Sequence, residues 1–342
     1  MKERDIIQHI TNLAPSKGEG VVQGIGDDCA VIEKDDNTVW LLTMDTLVET
    51  VHFDRKWHPP ELLGRKSISV NVSDVAAMGG KPLFVLLSAS LPQSFDQKWF
   101  SAFSEGIAQG CRDYGCILIG GDTVCSPEGY SFTVTVIGET AKENVLYRSS
   151  ASPGDEIWVS GWLGHAAAGL EIFSRGIDSN AQEFEPLLNA HLNPEARTQL
   201  GLELGRCGLV SSMMDLSDGM ATDLAHLCQR SKVKGEIYAD RLPLSALLVR
   251  ATDILGLSPT MLALNGGEDY ELLFTAPPGA AFTVEQIGQA CGLDLYRVGH
   301  ICEGSGVVLL TPDDQNNIRE QRIAYGGFDH FGADKKRHGN TK

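Results

Sequence analysis

The sequence predicts a mixed α/β protein of two domains. Short apolar runs, several ending in Gly or Asp, alternate with longer segments of helical period. The 342 residues suffice for two cores. One turn-rich stretch, Ser149-Ser150-Ala151-Ser152-Pro153-Gly154, interrupts the chain just before a new strand at Glu156. The expected domains are residues 1–150 and 151–331, followed by a polar, basic tail over 332–342.

The elements follow in order. Residues 1–20 read as a short helix and a loop. In Gly24-Ile25-Gly26-Asp27-Asp28 two glycines allow a tight turn before paired aspartates, and an apolar run follows. No third glycine or helix follows, so this is not a dinucleotide fingerprint. Val39–Asp45 reads as a buried strand that delivers Thr43 and Asp45 on one face at its end. Pro59–Gly79 reads as a helix, with prolines at its start and glycines at its end. Its Ser67, Asn71 and Asp74 form one polar line, which either points at a metal or is the solvent face. Leu83–Leu91 is a strand and Ser94–Tyr114 an amphipathic helix. Cys116–Ile119 reads as a short buried strand ending in Gly120-Gly121-Asp122, where glycines permit close approach of a phosphate. Ser131–Glu139 is an alternating strand, and Arg148 lies in the loop after it. Beyond the boundary come a strand (Ile157–Ser160), a small-residue helix (Gly164–Phe173), a loop-rich stretch to Pro194 and a helix (Glu195–Cys207). A strand near Glu236–Ala239, one that follows Glu268 and Asp269 in the stretch Leu264–Phe274, and strands near Asp294–Gly299 and Gly306–Leu310 complete the pattern.

The densest chemistry is in Met214-Asp215-Leu216-Ser217-Asp218-Gly219-Met220, ahead of a helical period. Asp215 is expected to end a strand and Asp218 to cap the helix. Both then face a helix N-terminus, which favours anions. Two like charges beside a phosphate require cations between them, as in a Mg²⁺-nucleotide site. A capped helix with a solvated Asp pair is the alternative from this stretch alone.

Composition narrows the classes. With 28 basic and 45 acidic residues the net charge is −17, which argues against a nucleic-acid or anionic-membrane surface. No signal peptide or apolar run of membrane-spanning length is visible. The eight cysteines form no CxxC pair or zinc spacing, so reduced, mostly buried thiols in a cytoplasmic protein are expected. There is no GxxxxGK[ST] loop, no kinase HRD or DFG set and no GxSxG elbow.

Taken together, the motifs resemble those of the thiamine-monophosphate kinase family. They are Gly24-Ile25-Gly26-Asp27-Asp28-Cys29-Ala30, Thr43-Met44-Asp45-Thr46-Leu47-Val48 with His52-Phe53, and Asn71-Val72-Ser73-Asp74. Gly120-Gly121-Asp122-Thr123, Asp215-Leu216-Ser217-Asp218-Gly219, Gly266-Gly267-Glu268-Asp269-Tyr270-Glu271-Leu272 and Gly327-Phe328-Asp329-His330-Phe331 continue the series in order. The resemblance implies the two-domain α/β fold of aminoimidazole ribonucleotide synthetase, whose N-terminal domain forms an intersubunit β-barrel in a homodimer. It implies transfer of the ATP γ-phosphoryl group to thiamine monophosphate, assisted by several Mg²⁺ ions. Asp28, Thr43, Met44 through its backbone, Asp45, Asp74, Asp122, Asp215 and Asp218 match the metal ligands. Gly121, Asp122, Arg148 and Ser217 match positions that contact ATP; His52, Glu268 and Tyr325 match positions that contact the substrate. Tyr325 stands where relatives often carry Trp, and its ring still offers a stacking surface. No general base is implied, because the acceptor is already an ionised phosphate oxygen. Another ATP-dependent enzyme of the same superfold, or a non-catalytic nucleotide or metal sensor, is the alternative.

Overall fold

The computed structural model describes residues 3–15, 17–177, 182–312, 315 and 317–323. Tyr325, the motif over 327–331 and the tail over 332–342 lie outside the described residues.

The first half contains α1 (Glu3–Leu13), β1 (Val21–Gln23), β2 (Ala30–Glu33), β3 (Thr38–Val48), α2 (Pro60–Ala77), β4 (Lys81–Pro92), α3 (Gln97–Tyr114), β5 (Ile117–Ser126) and β6 (Ser131–Ala141). Its strands form a six-stranded sheet in the order β1-β2-β3-β6-β4-β5. The second half contains β7 (Glu156–Ser160), α4 (His165–Ser174), α5 (Glu185–Leu192), α6 (Thr198–Cys207), β8 (Ser212–Asp215), α7 (Met220–Ser231), β9 (Lys234–Tyr238), α8 (Ala246–Leu255) and α9 (Pro259–Asn265). It ends with β10 (Leu272–Ala276), α10 (Ala281–Ala290), β11 (Leu295–Cys302), β12 (Gly306–Pro312) and β13 (Ile318–Arg322). These strands form a seven-stranded sheet, β13-β12-β9-β11-β7-β10-β8, in which only β12 and β9 run parallel.

Helix α2 sits at the centre. It starts at Pro60, whose missing N–H costs nothing in a first turn. Thirteen of its residues are buried, including Lys66, Ser67, Asn71 and Ser73, so it has no solvent stripe. One side packs on α3, where Gly64 and Gly106 let the two backbones meet: a Cβ on Gly106 would lie 2.0 Å from the Glu61 carbonyl oxygen. Another side meets the second half. A Cβ on Gly201 of α6 would lie 2.2 Å from the Ala76 carbonyl oxygen, and the Arg65 guanidinium donates to Asn193 at 2.8 Å. Helix α3 has its start and stop encoded locally. The Asp96 carboxylate accepts the Lys98 and Trp99 N–H groups, and Gly115 ends the helix in the left-handed conformation. Phe103 of α3 and Phe132 of β6 stack at 3.9 Å in the first core.

Several expectations are corrected. The segment from Cys116 is no short buried strand: β5 runs to Ser126, passes through Gly120 and Asp122, and is exposed along nearly its whole length. It is the sheet's edge, with β4 on one side only. The loop-rich stretch before Pro194 contains α5, and the helix placed at Glu195 starts at Thr198. Helices α8, α9 and α10 and strand β13 lie where no element was expected. All eight cysteines are free, but only Cys29, Cys116 and Cys228 are buried. Among the described residues, no single helix is long and apolar enough to cross a membrane.

Candidate active site

Three carboxylates converge from three elements. Asp28 lies in the loop between β1 and β2, Asp74 in the last turn of α2, and Asp215 at the end of β8. One oxygen from each lies within 4.8 Å of the others. Asp28 and Asp215 are buried and Asp74 partly so.

Short hydrogen bonds fix their directions. Thr43 Oγ1 donates to Asp74 Oδ2 at 2.5 Å, and the Asp45 N–H donates to Asn71 Oδ1 at 2.9 Å. Thus β3 is tied to α2, and Asn71 and Asp74 of the polar line face the site, while Ser67 is buried and donates back to the Leu63 carbonyl of its own helix. Ser73 Oγ donates to Asp215 Oδ2 at 2.6 Å, linking α2 to β8. Ser73 was not singled out from the sequence, although it adjoins Asp74.

This crowding disfavours charge. Burial, then the charges of Asp45, Asp215 and Asp28, push the Asp74 carboxyl well above the usual carboxylate range. Burial and Asp28 raise Asp215 to about 8. Asp27, missed from sequence as a separate group, is raised to about 7 by burial and by Asp28. The cation facing the cluster is Arg148. Its guanidinium grips Asp28 with two donors, Nε at 3.1 Å from Oδ2 and Nη2 on Oδ1. Its backbone N–H donates to Asp27 at 3.2 Å.

The Asp215–Gly219 segment departs from expectation at its second carboxylate. Asp218 does not cap α7; Gly219 holds the N-cap position, at φ 103°, without a side-chain cap. Asp223, one turn in, accepts the N–H groups of Asp218 and Gly219 at 3.1 and 3.0 Å. Two loop donors that a phosphate would use are therefore satisfied within the chain. Ser217 is exposed, and its carbonyl accepts the Glu268 N–H at 2.8 Å. The Tyr270 N–H donates to Leu216 O at 2.9 Å, so the Gly266–Leu272 loop is strapped to the Asp215–Gly219 segment.

Glu268 and Tyr270 hold left-handed φ values of 68° and 51°, each of which costs about 1 kcal/mol or more in a residue other than glycine. Glu268 is set by a buried network. Lys66, 0% exposed, places its ammonium 3.2 Å from Glu268 Oε1 and donates to the His191 carbonyl at 2.8 Å. His191 Nδ1 lies 3.0 Å from Glu268 Oε2. Burial would raise the Glu268 carboxyl, but Lys66 and His191 overcome it and hold the group well below its ordinary range.

The remaining expected residues are dispersed. Met44 is exposed on one face of β3; Asp45, on the face it shares with Thr43, is open to solvent but lies close enough to the trio for its charge to raise Asp74. His52 follows β3, and its Nδ1 accepts the Val48 N–H at 3.0 Å. Asp122 does not join the trio in the single chain. It pairs with Ser88, then Thr133, then Thr46 across the sheet, which puts it three strand spacings, about 14 Å, from β3. Gly121 lies beside it, at φ 154°. Tyr325 lies outside the described residues.

Family models for the AIR synthase related protein match here, the N-terminal domain over residues 26–140 and the C-terminal domain over 152–311. The thiamine-monophosphate kinase of Haemophilus influenzae is 35% identical over 336 residues, covering 98% of this chain and 99% of that protein. The chain belongs to the thiamine-monophosphate kinase family. The thiamine-monophosphate kinase of Aquifex aeolicus is 39% identical over 287 residues, 83% of this chain and 88% of that protein. The solved structure of AaThiL complexed with AMPPCP and TMP matches with a TM-score of 0.82 at 35% identity, covering 96% of this chain and 97% of that one. The two-sheet α/β architecture is thus that of the thiamine-monophosphate kinases.

Proposed function

We propose that the protein transfers the γ-phosphoryl group of ATP to thiamine monophosphate, giving thiamine diphosphate and ADP, the last step of thiamine diphosphate synthesis. The observation that carries this reading is the trio of Asp28, Asp74 and Asp215, drawn from both halves of a chain that matches thiamine-monophosphate kinases over nearly its full length.

The donor set fits Mg²⁺. Hard divalent cations take carboxylate oxygens, and carboxyls that resist ionising side by side gain most from such a partner. Asp28, Asp74 and Asp215 would hold one ion. The family motifs add Thr43, Asp45, Asp122, Asp218 and the Met44 backbone, enough for several. Bound Mg²⁺ neutralises phosphate oxygens and orients them.

The chain's own groups do the rest. Gly121, Asp122, Arg148 and Ser217 contact ATP in this reading; the Arg148 fork, closed on Asp28 here, matches two phosphate oxygens. His52, Glu268 and Tyr325 contact thiamine monophosphate. The persistent charge on Glu268 suits the cationic thiazolium ring. The acceptor phosphate is ionised at neutral pH, so no side chain is assigned as a general base. Transfer is direct and in line, and the reaction takes place in the cytoplasm. The exposed edge β5 is covered in a homodimer, in which the first sheets of two copies build a β-barrel.

The test is incubation with Mg·ATP and thiamine monophosphate. Stoichiometric thiamine diphosphate and ADP are expected, lost in Asp218→Ala, with inversion at a chirally labelled γ-phosphorus. ATP bound but not consumed would overturn the kinase reading in favour of a sensor; retention would overturn direct transfer.

A further inference from the structure

The second sheet carries another set of metal-ligand side chains. Strands β9 and β11 pair antiparallel, with His300 opposite Glu236 and Cys302 opposite Lys234. Gly235 and Ile237 of β9 turn to the core, so Glu236, His300 and Cys302 share the opposite, half-buried face. His300 Nε2 lies 3.2 Å from Glu236 Oε2. A carboxylate oxygen, an imidazole nitrogen and the Cys302 sulfur all lie within 4.8 Å of one another. Nitrogen, oxygen and sulfur donors on one tetrahedral zinc ion, at about 2.0–2.3 Å from it, stand about 3.3–3.6 Å apart. The trio is therefore close to ligand spacing already.

The surroundings fit as well. His300 Nδ1 lies 3.0 Å from the Tyr238 hydroxyl, and the two rings stack at 5.5 Å. With Nδ1–H donating to that oxygen, the Nε2 lone pair faces Glu236 and Cys302, the orientation a metal requires of histidine. Lys234 occupies the other oxygen of Glu236, Oε1, at 2.6 Å, and leaves Oε2 for a ligand. In the sheet register, Asp215 pairs with Leu272, while His300 pairs with Glu156, which pairs with Ala276. Four residues along and three strands across separate the two places, about 20 Å.

We propose that Glu236, His300 and Cys302 form a binding site for one borderline-soft divalent cation such as zinc, distinct from the carboxylate site that takes Mg²⁺. Thiolate and imidazole select against Mg²⁺. Three protein donors leave a fourth position for water. Binding releases the Cys302 thiol proton to solvent and clamps β9 to β11.

Co²⁺ is the probe, added to the full-length protein in excess Mg²⁺ so that the carboxylate site is filled. The expected result is one equivalent of Co²⁺ with a thiolate-to-metal charge-transfer band, displaced by Zn²⁺. Cys302→Ser removes the band. His300→Ala and Tyr238→Phe each weaken Co²⁺ binding, by about tenfold for the latter. Thiamine monophosphate phosphorylation by these variants stays at the parent rate. That readout also shows each variant folded and is independent of the metal measurement. The absence of a band in the parent protein, or a band that survives Cys302→Ser, would overturn the site.

Discussion

At the scale of single residues, the carboxylate trio sets stability against function. Asp215 stands at about 8 in the folded, metal-free chain against an ordinary 3.8, and Asp74 is also raised. Between those values the folded state holds more protons than the unfolded one. The contribution of Asp215 and Asp74 to stability is therefore full below about pH 4 and, for Asp215, is lost as pH rises through about 8. Asp74→Asn keeps an acceptor for Thr43 and removes one charge. We expect it to flatten the metal-free pH dependence and to raise the melting temperature at pH 8 by a few degrees, while abolishing turnover. About 1 kcal/mol corresponds to about 2–4 °C in domains of 150–250 residues. Scanning calorimetry of both proteins from pH 5 to 8, with and without Mg²⁺, checks it; parallel curves would refute the argument. Asp28, Asp74 and Asp215 were legible in the sequence because each stood at an element's end, near glycine or small residues. Lys66 was not legible. A lysine on a helix normally reads as its solvent face, and only the packing of α2 against both halves buries this one.

Elements carry the next level of argument. Helix α2 reaches the Gly266–Leu272 loop through Lys66 and Glu268. Lys66→Met preserves the stem's volume but leaves Glu268, 24% exposed at its side chain, without its ammonium partner. A loss of about 1–3 kcal/mol is expected. The KM for thiamine monophosphate should rise about tenfold, equivalent to about 1.4 kcal/mol, with the KM for ATP unchanged. Adding Glu268→Gln should restore stability but not affinity. Equal changes in both KM values would show general damage instead. In β5 two adjacent glycines differ. A Cβ on Gly121 would lie 1.8 Å from the Leu87 carbonyl oxygen, whereas on Gly120 it meets only Leu86 Cδ2 at an ordinary 3.5 Å. Gly121→Ala should cost about 1–3 kcal/mol or unpair β4 from β5, and Gly120→Ala far less; urea unfolding of the two variants separates them. From sequence the glycine pair announced a close approach, and a phosphate was the expected neighbour. The structure adds a neighbouring strand's backbone, which periodicity does not reveal. Helices α5, α8 and α9, of seven to ten residues, offer too few turns for periodicity alone to decide; α4, equally short, was read from its run of small residues.

For the whole molecule, the unequal edges of the first sheet are informative. Helices α2 and α3 pack against this sheet within the chain, but β5 is exposed on both faces, with Ile117, Leu118, Ile119 and Val124 each 46–62% accessible. Its apolar run led to the expectation of a buried strand, and that expectation is contradicted in the single chain. An exposed apolar edge strand invites pairing unless charge, proline or a bulge protects it; β5 has one charged residue, Asp122, and one register irregularity, at Ile119, and its apolar side chains stay open along the strand. The proposed dimer resolves the conflict, since the sequence then codes for burial against a second copy. Ile119→Lys places a desolvated charge at that contact. The parent should sediment as a dimer and Ile119→Lys as a monomer with reduced turnover, because Gly121 and Asp122 share its strand. Ile254, 63% exposed on α8, provides the control: Ile254→Lys should leave both mass and activity unchanged. A parent protein that is fully active and monomeric at assay concentration would refute the dimer, and the apolar edge would then need another partner.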